Sequence, residues 1–218
     1  MVNRFRFFFL LLTAGLLVAR LPSQEVPPPA SMQSARAEKI RVAGVSNAGK
    51  INNHFYRGAQ PQLPAFAELK KLGVTTVVDL RLEDPAAIAA EGRQVESLGL
   101  RFVRIPVGGF SAPTNEQIIQ FLSIFRDHPQ DTVFVHCHYG EDRTGVFVAA
   151  YRMTVEHWPA EQALHEMDAF GFHRHWQHEM GDYVRDFPAR LNSAPDLALF
   201  LKTILNPPSA PIPLPLGH

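Results

Sequence analysis

The residues best suited to covalent chemistry lie between Val135 and Gly145, in the order Val-His-Cys-His-Tyr-Gly-Glu-Asp-Arg-Thr-Gly. This segment holds the single cysteine of the chain, Cys137, six positions before Arg143. A cysteine is a strong nucleophile as a thiolate, and a nearby arginine stabilises that form. The planar fork of an arginine also binds phosphate through two parallel hydrogen bonds. The spacing therefore indicates a nucleophilic sulfur beside a phosphate-binding cation.

The flanking elements would aim the backbone amides of this segment at one point. The run from Asp131 to Val135 is typical of a short buried strand, and Thr144 to Met153 predicts a helix that is apolar nearly all round. A loop between a strand and a helix N-terminus collects N–H groups and the positive end of the helix dipole, which attract anions. The sequence therefore predicts a loop that holds a phosphoryl group against the sulfur of Cys137.

The motif His-Cys-x-x-Gly-x-Asp-Arg-Thr-Gly resembles the phosphate loop of the cysteine-dependent protein tyrosine phosphatase superfamily. The variant is similar to that of the bacterial dual-specificity-like and atypical dual-specificity branch. The resemblance covers roughly residues 40 to 190. Beyond the loop it is carried by three segments: Phe55–Pro61, Leu72–Arg81, and Gly171–His173 with Trp176. The resemblance implies a phosphomonoester hydrolase that forms a cysteinyl-phosphate intermediate and needs no metal or other cofactor.

The resemblance also implies roles for the residues of the loop. Cys137 would attack phosphorus in line, and Arg143 would grip two phosphate oxygens. Thr144 would hydrogen-bond the sulfur and help it leave in the second step. The other candidates would contact the substrate, permit the turn or orient the loop backbone: His136, His138, Tyr139, Gly140, Glu141 and Gly145.

The family pattern is broken where relatives carry an aspartate that protonates the leaving group. That segment, Ile105–Thr114, contains no carboxylate in this chain. A carboxyl group beside a phosphate dianion has its pKa raised by like charge, as a general acid requires. We therefore expect the acid to come from the phosphate loop itself, with Asp142 preferred over Glu141. Glu116, at the start of the next predicted helix, is the alternative.

Substrate and activity leave alternatives open. A phosphorylated protein competes with an inositol phosphate or another small phosphate ester as the partner. The loop is less basic than a polyphosphate pocket would be, which favours proteins or aryl phosphates; the residues concerned are His138, Tyr139, Glu141 and Asp142. The missing loop aspartate would also suit a catalytically weak module that binds phosphorylated ligands.

Two other interpretations of Cys137 fit less well. A free cysteine is often a small buried hydrophobe, but the glycine, arginine and threonine around this one favour the nucleophile. A metal site at His136, Cys137 and His138 is disfavoured because adjacent side chains diverge and zinc ligands are normally spaced further apart.

Composition and the N-terminus limit the partners and the compartment. The formal net charge is zero, with 21 Lys and Arg against 21 Asp and Glu, and no basic cluster predicts a nucleic-acid surface. Arg4 and Arg6 precede an apolar run from Phe7 to Ala19, which has signal-peptide length and is short for a bilayer span. We expect an exported protein, periplasmic or secreted. An uncleaved N-terminal anchor, and with it membrane contact, is the alternative.

The chain divides into four predicted parts: a signal peptide or anchor (1–22), a linker (23–38), a phosphatase domain (39–206) and a Pro-rich disordered tail (207–218). Alternating strands and helices predict an α/β fold with a central, mostly parallel sheet flanked by helices. The cysteine loop would then lie at the carboxyl end of a central strand. The predicted strands are Ile40–Val45, His54–Arg57, Val74–Leu80, Arg101–Val107 and Asp131–Val135. The predicted helices are Pro64–Leu72, Asp84–Gly99, Asn115–Arg126, Thr144–Met153, Pro159–Phe170, His173–Phe187 and Pro195–Leu205.

Overall fold

Six strands form one mixed sheet in the computed structural model, which describes residues 35–205. The strands are β1 (Glu38–Lys39), β2 (Gly49–Asn52), β3 (Phe55–Ala59), β4 (Thr76–Arg81), β5 (Arg101–Val107) and β6 (Val133–Cys137). Their order is β1-β2-β3-β6-β4-β5, and all the ladders from β3 to β5 are parallel. The antiparallel strands β1 and β2 extend the β3 side. The predicted central, mostly parallel sheet is confirmed, with β6 between β3 and β4.

Seven helices accompany the sheet in the described part of the chain. They are α1 (Ala65–Lys71), α2 (Pro85–Ser97), α3 (Asn115–Asp127), α4 (Asp142–Val155), α5 (Ala160–Ala169), α6 (His178–Ser193) and α7 (Pro195–Leu205). Successive side chains of a strand point to opposite faces. Along β6, Val133 and Val135 pack with residues of α3 to α7, whereas Phe134 packs with residues of α1 and the end of α2. The sheet therefore has helices on both faces, as the alternation of elements predicted.

Local capping fixes two helix starts that the sequence predicted. The Asp84 carboxylate accepts a hydrogen bond from the backbone N–H of Ala87 at 3.0 Å. Pro85 occupies the first turn of α2, where its missing N–H would have no partner within the helix. Thr114 and Gln117 form a reciprocal capping box at the start of α3. These caps fix the start of α2, after β4, and the start of α3, after β5.

Two predicted elements differ clearly from the structure, and one strand was not predicted. Ile40–Val45 is not a strand: Gly44 turns the chain with a φ of 75°, leaving a single bridge between Val42 and Val45. The strand on this side is instead β2, whose sequence Gly-Lys-Ile-Asn has little apolar alternation. The helix predicted from His173 begins at His178, because the chain still turns between these residues, and it continues past Phe187 to Ser193.

Part of the predicted domain organisation falls outside the described residues. The signal peptide or anchor, most of the linker and the Pro-rich tail all lie there. Of the linker, residues 35–38 are described, and Glu38 already belongs to β1. Within residues 35–205, no helix has both the length and the apolar content needed to cross a membrane.

Candidate active site

Cys137 is the last residue of β6, and Asp142 is the first residue of α4. The loop between them opens onto a cavity of about 500 Å³ that is lined by both Cys137 and Arg143. Cys137 is only 3% exposed, and α4 behind it is buried from Arg143 to Thr154. The predicted strand–loop–helix unit is therefore present, with the sulfur and the cation on the same cavity.

The carbonyl groups of the loop are held by residues around β3. The amide of Gln60 donates to the His138 carbonyl at 3.1 Å. The side-chain amide of Asn47 and the guanidinium of Arg57 both donate to the Gly140 carbonyl. In a trans peptide the N–H points opposite to the preceding C=O. Because these carbonyls point toward β3, the N–H groups that follow them point away from β3 and are free to bind an anion on the other side of the loop.

Arg57 is a fully buried cation under this loop. Its guanidinium stacks on the ring of Phe170 at 4.1 Å, and burial lowers its pKa to about 10. At neutral pH it therefore stays charged and adds a positive charge behind the loop. Neither Arg57 nor Asn47 was identified from the sequence. Arg57 lies in a segment similar to the family, but nothing local shows that its side chain reaches a residue 83 positions later.

Gly140 makes the turn that was predicted for it. Its φ is 69°, and a Cβ at this position would lie 2.3 Å from the backbone of Gly58. Contacts this short are not tolerated between heavy atoms, so the loop can approach β3 only through a glycine.

His136, predicted to orient the loop backbone or contact the substrate, lies behind the loop. His136 is fully buried; its Nε2 is 2.8 Å from a Glu91 carboxylate oxygen, and it does not line the cavity. Arg81 joins Glu91 to Asp79 at 2.6 and 2.8 Å. This network anchors the end of β6, which agrees with the orienting role expected of His136.

Gly145 also lies away from the cavity, where α4 packs closely against Met167 of α5. Thr144 is fully buried, and its hydroxyl has no hydrogen-bond partner within residues 35–205. The predicted hydrogen bond from Thr144 to the sulfur is therefore absent from this structure. Both residues contribute to the start of α4 rather than to the cavity wall.

Arg143 is held by a residue that the sequence analysis missed. Its Nη1 and Nη2 atoms donate to the two carboxylate oxygens of Glu83 at 2.9 and 2.7 Å, and Nη1 also donates to the Val107 carbonyl at 3.2 Å. The hydrogen bonds from Arg143 lower the pKa of Glu83 to about 2, so this carboxylate is ionised throughout the neutral range. Glu83 is 60 positions from Arg143, and no local pattern links the two.

The carboxylates of the loop occupy different positions. Asp142 lines the cavity, and one of its oxygens accepts the backbone N–H of His173 at 3.0 Å. The same carboxylate lies 3.3 Å from the Nδ1 atom of His173. Glu141 does not line this cavity; burial raises its pKa, although His173 opposes the shift. Glu116 lies at the exposed start of α3, also away from the cavity wall.

Three exposed aromatic side chains surround the cavity, and we call them the aromatic rim: Phe110, Tyr139 and Trp176, exposed by 75%, 65% and 76%. Tyr139 contacts the ring of His138 edge-on at 4.4 Å. Exposed apolar groups gathered around one cavity are typical of a ligand or partner site, whereas single exposed ones are ordinary. Tyr139 and His138, which were predicted to contact the substrate, both line this cavity.

A cysteine and an arginine on one anion-binding loop, at the carboxyl end of a parallel strand, define a cysteine-dependent phosphatase. Residues 32–181 match the family model described as DSP-PTPase phosphatase fused to NAD+ kinase. The chain therefore belongs to the dual-specificity phosphatases of the cysteine-dependent protein tyrosine phosphatase superfamily, and it is a phosphatase of the type that the loop motif predicted.

Similar proteins agree with this assignment. The dual-specificity protein phosphatase TpbA of Pseudomonas aeruginosa, strain UCBPP-PA14, is 30% identical over 168 residues, covering 74% of this chain and 69% of that protein. A crystal structure of a Cys-to-Ser variant of P. aeruginosa TpbA in complex with phosphotyrosine has a TM-score of 0.60 at 22% identity, covering 80% and 99%. The core catalytic domain of the PP-IP phosphatase SIW14 from S. cerevisiae has a TM-score of 0.57 at 18% identity, covering 70% and 94%. At these identities the two structures show the shared fold.

Proposed function

We propose that this phosphatase hydrolyses aryl phosphate monoesters, with phosphotyrosine in proteins as the substrate class. The observation that carries the proposal is the aromatic rim around the cavity of Cys137 and Arg143. Aromatic side chains contact a planar ring favourably along their faces and edges. A phosphotyrosine side chain offers such a ring together with the phosphate that the loop binds.

The charges of the cavity support a monoester rather than a polyphosphate. Arg143 is the single Lys or Arg among the described residues that line it, and the carboxylates of Glu83 and Asp142 line it as well. An inositol polyphosphate carries many negative charges and would need several cations. The protein shares its fold with SIW14, but its cavity is suited to a single phosphate group.

The reaction proceeds in two displacements. The thiolate of Cys137 attacks phosphorus, an S–P bond forms, and the bond from phosphorus to the aryl oxygen breaks. Asp142 gives its proton to the departing oxygen. Water then attacks the phosphorus of the cysteinyl-phosphate while the Asp142 carboxylate takes one of its protons, the S–P bond breaks, and inorganic phosphate and the thiolate are released. Arg143 and the loop amides bind the phosphoryl oxygens, where charge spreads in both transition states.

Replacing the nucleophile tests the proposal. With EDTA present, the wild-type protein should hydrolyse nitrophenyl phosphate and phosphotyrosine peptides faster than phosphoserine peptides or inositol polyphosphates. Cys137→Ser should abolish turnover, because the hydroxyl is a far weaker nucleophile, while vanadate still raises the melting temperature. Undiminished turnover in this variant would exclude covalent catalysis by Cys137. Faster hydrolysis of an inositol polyphosphate would overturn the substrate class, and phosphate binding without any wild-type turnover would favour a binding module.

A further inference from the structure

Glu83 holds Arg143 but takes part in neither of the two displacements. It lies between β4 and α2, and its side chain is 48% exposed while that of Arg143 is 8% exposed. Its carboxylate nevertheless engages both terminal nitrogens of Arg143 and lines the cavity of Cys137. An ion pair with a half-exposed glutamate contributes little to the stability of the fold. The effect of Glu83 is therefore expected mainly in the orientation of the Arg143 guanidinium.

Some N–H groups of Arg143 are hydrogen-bonded to described residues, and others are not. A guanidinium has five N–H groups arranged along two bidentate edges. Three N–H groups are taken: two on Nη1, by Glu83 and the Val107 carbonyl, and one on Nη2, by Glu83. Among the described residues, no hydrogen bond occupies the Nε–H or the second Nη2–H. These two groups form the side edge of the guanidinium, which matches two oxygens of a phosphoryl group.

We propose that Glu83 is a positioning residue for the phosphatase reaction: with the Val107 carbonyl it holds the Nη1–Nη2 edge of Arg143, so that the Nε–Nη2 edge meets the phosphoryl group. The proposal rests on the proposed function, since it assigns the phosphoryl group to that edge. The alternative geometry has Glu83 competing with the substrate for Arg143. The donor count favours positioning, because Glu83 and the Val107 carbonyl fill the Nη1–Nη2 edge, while no described residue accepts from the Nε–Nη2 edge.

The physical consequence is that Glu83 fixes the orientation of the fork. Without it, the guanidinium keeps its charge and the Val107 contact but can rotate about its terminal bonds. Misplacing a catalytic group by about 1 Å can cost roughly 10²-fold in rate. The loss should appear mainly in kcat, because the bidentate contact is strongest in the transition state.

Glu83→Ala and Glu83→Gln test the proposal, with Glu96→Gln as the matched control. Glu96 is an exposed residue of α2, so its replacement makes the same change of charge away from the cavity. With nitrophenyl phosphate, Glu83→Ala should lower kcat by roughly 10²-fold, and vanadate inhibition should weaken by a similar factor. Glu83→Gln keeps one acceptor and should lie between Glu83→Ala and the wild type. The melting temperatures should stay close to that of the wild type, as should all properties of Glu96→Gln.

A double variant separates action through Arg143 from other effects. In an Arg143→Lys background, Glu83→Ala should have no further effect on vanadate binding, because the edge it orients is gone. A higher kcat/KM and tighter vanadate binding in Glu83→Ala would overturn the proposal and make Glu83 a competitor of the substrate. Wild-type kinetics in Glu83→Ala would overturn it as well. If the wild type showed no turnover, the proposed function would fail, while weaker vanadate binding in Glu83→Ala would still support the positioning of Arg143.

Discussion

Asp142 is the residue to which we assign the proton transfer. With Glu83 ionised and bound to Arg143, Asp142 is the remaining carboxylate among the described residues that line the cavity. The backbone N–H of His173 fixes the direction of its side chain at the start of α4. The structure therefore places the preferred candidate on the cavity that holds the nucleophile and leaves the alternative, Glu116, outside the wall.

The leaving group of the substrate determines how far Asp142→Asn lowers the rate of hydrolysis. With an alkyl phosphate, whose alkoxide leaves poorly, we expect hydrolysis to slow by roughly 10²-fold, the usual contribution of general acid catalysis. With nitrophenyl phosphate the loss should be much smaller, because that anion leaves without help. Steady-state rates for the two substrates, with Glu116→Gln as the control, measure the difference. Equal losses on both substrates would mean that Asp142 serves only to hold His173 and the loop.

The residues that the sequence could predict are those whose chemistry is local. Cys137, Arg143 and Asp142 share one short loop, so their proximity follows from their spacing alone. Arg57 reaches the loop from β3 and Glu83 from the connection after β4, and their partners are set by the order of strands in the sheet. Sequence spacing does not contain that order, and neither residue carries a local signal of its contact.

At the scale of elements, the phosphate loop depends on β3 as much as on its own sequence. Gly58 of β3 lies against Gly140, while Arg57 and Asn47 hold the Gly140 carbonyl. The loop therefore keeps its anion-binding shape only while β3 and β6 stay paired along their full register, which ends at Ala59 opposite Cys137.

Gly140→Ala should break this arrangement. The new Cβ would lie 2.3 Å from the Gly58 backbone, at a φ of 69° that disfavours any side chain. We expect loss of vanadate binding, a fall in activity of roughly 10²-fold or more, and a lower melting temperature. Gly99→Ala is the matched control, since Gly99 has a similar φ of 72° but its Cβ would meet nothing within 4 Å. An active Gly140→Ala protein with unchanged vanadate affinity would show that the loop does not need this approach to β3.

The same elements show which parts of the fold follow from sequence. β5 was predicted with its observed bounds, and Pro106 is tolerated because β5 is the edge strand of the sheet. The start of α2 followed from Asp84 and Pro85, whose cap is local. In contrast, β2 has no apolar alternation and exists because it pairs with β3, a contact that local patterning does not encode.

At the scale of the whole molecule, the compartment is a proposal that rests on the N-terminal sequence. Arg4 and Arg6 precede the apolar run Phe7–Ala19, which is typical of a signal peptide. An exported protein with one cysteine cannot form an internal disulfide. The burial of Cys137, which is 3% exposed, would limit its oxidation there, while the cavity still admits a phosphate ester. Export and cysteine chemistry are therefore compatible in this fold.

Expressed with its own N-terminus in a bacterial host, the protein should be released by osmotic shock. The intact mass of the released protein should show that the N-terminal residues have been removed. Leu12→Arg, which interrupts the apolar run, should keep it in the cytoplasm, because a charge there blocks insertion of the segment. Leu199→Arg is the matched control, since Leu199 is 65% exposed on α7 and its replacement should leave export unchanged. Soluble cytoplasmic protein that retains Met1 would refute export. Membrane-bound protein with Met1 intact would instead establish the uncleaved anchor.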